Sequence, residues 1–133
     1  MKKTELWKVV APAHSKKEFE SIIAREPYNL FYRIGERTKA KVGKIICFKS
    51  QEEAKIWSED IDGSHILLKG FTQSNISSIS SLPLVGYWRS ADKEIKRWWK
   101  GKHVYSFGLI HCPIGTVGAK TFTPTEVVGG KND

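Results

Sequence analysis

The chain has 133 residues, of which 40% are hydrophobic and 27% charged, a composition that fits one globular domain rather than a disordered chain. Lys and Arg number 22 against 14 Asp and Glu, and the formal net charge of +8 biases the protein toward anionic partners: nucleotides, nucleic acid or an acidic protein face. No apolar run approaches the roughly 18 residues that a membrane-spanning helix needs. Trp7-Lys8-Val9 interrupts any signal-peptide core behind Met1-Lys2-Lys3. The two cysteines, Cys47 and Cys112, sit in apolar contexts suited to free thiols of a reduced, cytoplasmic protein, with a disulfide between them left open.

Glu5 to Ala11 reads as a first strand, apolar at Leu6, Val9 and Val10 and ended by Pro12. Ser15-Lys16-Lys17-Glu18 has the spacing of a capping box, and Phe19, Ile22 and Ile23 predict an amphipathic helix that Pro27 stops. Asn29 to Ile34 is the second strand, and Gly35 to Lys44 a basic connection or hairpin. Ile45 to Phe48 is a short apolar run suited to a buried strand. Ser50 and Glu53 form another capping box: the Ser50 hydroxyl takes the Glu53 amide, and the Glu53 carboxylate reaches back to the Ser50 amide. Ala54 and Trp57, one turn apart, pack that helix back on the strand.

Asp60-Ile61-Asp62-Gly63 is a turn, and His65 to Leu68 the next strand. Thr72 to Ser81 is rich in serine and has no apolar period, which predicts a loop. Leu82 to Arg89 leads to a third helix, capped by Ser90 or Asp92 and stopped by Gly101. Val104 to His111 alternates, with Tyr105, Phe107 and Leu109 on one face of a half-buried strand. Cys112 to Gly115 turns the chain, and Thr116 to Phe122 is the last strand. The expected architecture is a single α+β domain over residues 1–128, a mostly antiparallel sheet packed by about three helices, followed by a flexible tail over 129–133.

The densest chemical feature is Tyr87 to His103. Aromatic faces that can stack on a base interleave there with cations that can take phosphates. Tyr87, Trp88, Arg89, Arg97, Trp99, Lys100 and His103 are the candidate ligand-binding residues of this stretch. Ala91, Ile95, Trp98 and Trp99 also recur at helical spacing, so a tryptophan of the pair can equally be core, with the lysines as a solvated face. Arg33, Arg37, Lys39 and Lys41, beside Gly35 and Gly43, form a second basic cluster able to clamp phosphate; a solvated hairpin is the plainer alternative.

Catalytic sites are harder to assemble. His111 and Cys112 are adjacent on a strand and point to opposite faces. The four histidines have no metal-ligand spacing, and Pro113 to Gly118 lacks the lysine and serine of a phosphate loop. No catalytic residue, metal or cofactor is assigned. The chain reads as a binding protein rather than an enzyme, with nucleic acid as an alternative partner and no membrane.

Two resemblances bear on function. Tyr32-Arg33, followed by Phe48-Lys49-Ser50 and Ala54, is similar to the front of ADP-ribosyltransferase-like folds. That similarity implies an enzyme acting on NAD through Arg33, Ser50 and a glutamate supplied by Thr123-Pro124-Thr125-Glu126. In size, basicity, lack of a catalytic set and aromatic–arginine interleaving, the chain also resembles small phage-encoded immune-evasion proteins that sequester nucleotide signals, such as Thoeris anti-defence sponges. That resemblance implies a homo-oligomer in the bacterial host cytoplasm that binds an anionic nucleotide-type molecule without transforming it.

Overall fold

The computed structural model describes residues 2–12, 19–21, 30–41, 43–59, 64–79, 81–83, 109–112 and 114–131. In chain order the elements are β1 (Thr4–Pro12), β2 (Phe19–Ser21), β3 (Phe31–Tyr32), β4 (Thr38–Lys39), β5 (Ile45–Phe48), α1 (Gln51–Glu59), β6 (His65–Thr72), β7 (Ile76–Ser78), β8 (Ser81–Pro83), β9 (Leu109–His111), β10 (Thr116–Ala119) and β11 (Thr121–Lys131). Seven strands form one antiparallel path, β4-β11-β6-β1-β5-β10-β7, with β2 added to β1 and β3 to β2; β8 and β9 pair separately.

The expected antiparallel sheet is therefore present, but the balance differs: among the described residues the fold is mostly β with one helix, not a sheet packed by three. Phe19, placed by its spacing on a first helix, begins β2 instead, where Val10 faces Ser21 and Pro12 faces Phe19. The reason lies in β1. β5 pairs with β1 through Trp7 and Phe48, which leaves the edge of Val10 to Pro12 for another strand, and that pairing overrides the helical spacing. The third expected helix lies outside the described residues.

Helix α1 forms where its sequence signals put it, with one half of the expected capping box: the Ser50 hydroxyl takes the Glu53 amide, while the Glu53 carboxylate turns to Gly115. Ser50 Oγ accepts the Glu53 amide at 3.2 Å, which satisfies one of the donors a helix start leaves open. Ala54 is fully buried, and Trp57 meets the Phe48 ring with centroids 5.5 Å apart. The Glu53 carboxylate lies against Gly115, with Oε2 buried and without a hydrogen-bond partner. Gly115 has φ +94°, and a Cβ there would overlap that carboxylate, so glycine is required for both backbone and space.

The sheet curls. β10 and β11 are separated by Lys120 alone, yet β10 pairs with β5 and β11 with β6, which flank β1 on opposite sides. Residues 116–131 are thus one bent run that joins the two sides of the curl. Hydroxyls hold the bend: Thr72 Oγ1 lies 2.7 Å from Ser74 Oγ and 3.1 Å from Thr121 Oγ1, and the Lys120 amide donates to Ser74 Oγ at 3.2 Å. The expected last strand, Thr116 to Phe122, is therefore two strands and longer than its apolar pattern. Gly129, Gly130 and Lys131, read as the start of a frayed tail, pair with Leu67, Ile66 and His65. Register shifts after Pro124 and after Val127 accommodate a residue with no N–H to give and the curvature itself. Gly70 faces this run, and a side chain there would overlap Thr123 O and press on the Phe122 ring. The serine-rich stretch after Thr72, expected as a loop, contains β7, whose Ser77 and Ser78 face Gly118 and Val117.

Alternation along the strands builds two apolar layers. The inner face gathers Leu6, Val10, Leu30, Tyr32, Ile45, Cys47, Leu68, Val117, Ala119 and Phe122. The outer face of β1, β5 and β6 contributes Val9, Phe48 and Leu67, which α1 covers with Ala54 and Trp57. Each large side chain so buried contributes about 1.5–3 kcal/mol of transfer free energy.

Candidate functional site

The chain between β3 and β5 carries the clearest surface for a ligand. Tyr32 turns inward, 1% exposed, and meets Phe122 edge to face at 6.2 Å. Its neighbour Phe31 must then point outward, and it is 50% exposed. The chain next makes a tight turn: the Glu36 amide donates to Arg33 O at 3.0 Å, and Gly35 takes φ +86°. The Gly35 amide donates to Pro124 O at 2.7 Å, which anchors the turn to β11. From there, exposure alternates: Arg37, Lys39 and Lys41 are exposed, while Thr38 and Ala40 are half-buried. Thr38 Oγ1 donates to Phe31 O at 3.0 Å, and the Ala40 amide donates to Lys120 O at 2.9 Å. These bonds tie Thr38 to β3 and Ala40 to the bend before β11, and so hold the connection on the edge of the sheet.

Arg33 and Arg37, both candidate ligand-binding residues, lie on this connection with Lys39 and Lys41, and all four are exposed. Ile34, 43% exposed, lies within the same turn. Tyr87, Trp88, Arg89, Arg97, Trp99, Lys100 and His103 lie outside the described residues. Sequence reasoning passed over Phe31; the period of two in a strand whose Tyr32 is core was the signal that would have found it.

A second unexpected feature lies inside the curl. Leu6, Lys8 and Val10 share one face of β1, and Lys8 is only 8% exposed among apolar neighbours. Its Nζ donates to Ile46 O at 2.8 Å and stands 5.5 Å from the Tyr32 ring centroid. Burial lowers the Lys8 pKa, against a smaller opposing effect of Cys47. Burial pushes the Cys47 thiol up to about 11, with Lys8 pulling the other way. Such a thiol is protonated at neutral pH and a poor nucleophile. Cys112, half-buried and also free, has its thiol raised by desolvation.

The residues implied by the ADP-ribosyltransferase-like resemblance are spread around the sheet. Phe48, Trp7, Lys69 and Glu126 are successive partners across β5, β1, β6 and β11, so Glu126 stands about 14 Å from Phe48 measured along the sheet. Arg33 is near the β11 end of that row and Ser50 at the other, with its hydroxyl engaged in the α1 cap. Among the described residues, no three His, Cys, Asp or Glu side chains group to hold a metal ion, and no helix is long and apolar enough to cross a membrane. No protein-family model matches the chain, and comparisons with curated proteins and with solved structures found no match.

Proposed function

We propose that this protein is a non-enzymatic binding protein for an anionic, nucleotide-type ligand held at the Arg33 to Lys41 connection. The observation that supports this reading is the set of exposed cations Arg33, Arg37, Lys39 and Lys41 on one connection pinned to the sheet through Gly35 and Ala40. Guanidinium and ammonium groups take phosphate oxygens, and a ring face takes a base. In the same reading, Tyr87, Trp88, Arg89, Arg97, Trp99, Lys100 and His103 remain the aromatic and basic candidates for ligand binding read from the sequence. Its sharpest form is a phage-encoded sponge that withholds a nucleotide signal in the host cytoplasm, assembled from copies of this chain.

The test is titration calorimetry on a panel of cyclic dinucleotides, cyclic trinucleotides, ADP-ribose derivatives and short oligonucleotides. Saturable binding by a member of the panel, weakened in the double variant Arg33→Gln, Arg37→Gln, is the expected result. No heat from any member at tens of micromolar sinks the reading.

A further inference from the structure

We draw no further inference here: the strongest candidate, the outer edge of β11 from Thr125 to Gly130, which pairs with no strand among the described residues, is interrupted by register shifts of the kind that discourage strand addition, and nothing in the structure shows what covers it.

Discussion

Lys8 and Lys39 are the same side chain on two sides of one sheet, and the sheet gives them opposite properties. Lys39 stands exposed on the edge strand β4, facing Thr121 through the backbone alone, with its charge in water. Lys8 sits between Leu6 and Val10 on the inner face, satisfied by the Ile46 carbonyl and near the Tyr32 ring. An ammonium in water retains its charge at no cost, whereas one taken into an apolar interior is driven toward its neutral form. Position relative to the curl therefore decides what a lysine can do. On the edge it is available to anions; inside, it is a hydrogen-bond donor in the packing, opposite a thiol that is itself held neutral.

The comparison can be broken most forcefully from the inside. Phe122 is fully buried where β11 meets the inner layer, and Phe122→Ala is expected to destabilise the fold by about 3–5 kcal/mol. Chemical denaturation measures this. A loss under about 1 kcal/mol, the range of surface changes, would mean that the inner face is not a packed core.

A smaller effect sharpens the electrostatic half. Lys8 has a folded pKa below its usual 10.5, so the unfolded chain binds more protons between the two values. Its contribution to stability is full above 10.5 and is lost as pH falls. Cys47 has a folded pKa raised from 9.0 to about 11, so its contribution is present below 9.0 and is lost as pH rises toward 11, by about 2–3 kcal/mol over that window. The two oppose each other in the alkaline range. Lys8→Met should leave stability falling between pH 9 and 11, and Cys47→Val should leave it rising up to about pH 10.5. Stability measured by urea denaturation across that range reads both slopes, and identical slopes in the two variants would show that these groups are not buried as described.

The smallest expected effect is on the edge. Lys39→Gln should change unfolding free energy by no more than about 0.5 kcal/mol, because the side chain is exposed and its strand is held through backbone bonds. A melting curve suffices. A large loss would place Lys39 in the packing and erase the contrast with Lys8.

Local chemistry made some of this fold legible and topology hid the rest. β5 and α1 were readable because an apolar run, a capping serine and an Ala54–Trp57 stripe all act within a few residues of one another. β1 was readable because Pro12 marks its end. Phe19 was misread because its fate depends on the unpaired edge of Val10 to Pro12, which no local pattern around Phe19 records. Ser77 and Ser78 were misread for the same reason: their partners Gly118 and Val117 lie some forty residues away in sequence. Gly129 and Gly130 look like a tail by composition and are ladder by position. Of the candidate site, Arg33, Arg37, Lys39 and Lys41 could be found as a charge cluster beside glycines. That Arg37 and Lys39 are exposed beside half-buried Thr38 and Ala40 follows only from the anchoring of the turn to Pro124 and of Ala40 to Lys120.

The bent run from Thr116 to Lys131 has a consequence for how the protein is made. β1, β5 and β6 leave the ribosome well before it, yet β5 and β6 each wait on this run for a pairing partner. Until it emerges, a nascent chain carries apolar strands with open edges, the state most prone to pair with the wrong neighbour. Closing the curl also joins residues far apart in sequence, which slows folding relative to a chain of local contacts. The sheet therefore completes only once residues 116–131 emerge, and the chain passes through that open-edged state on its way.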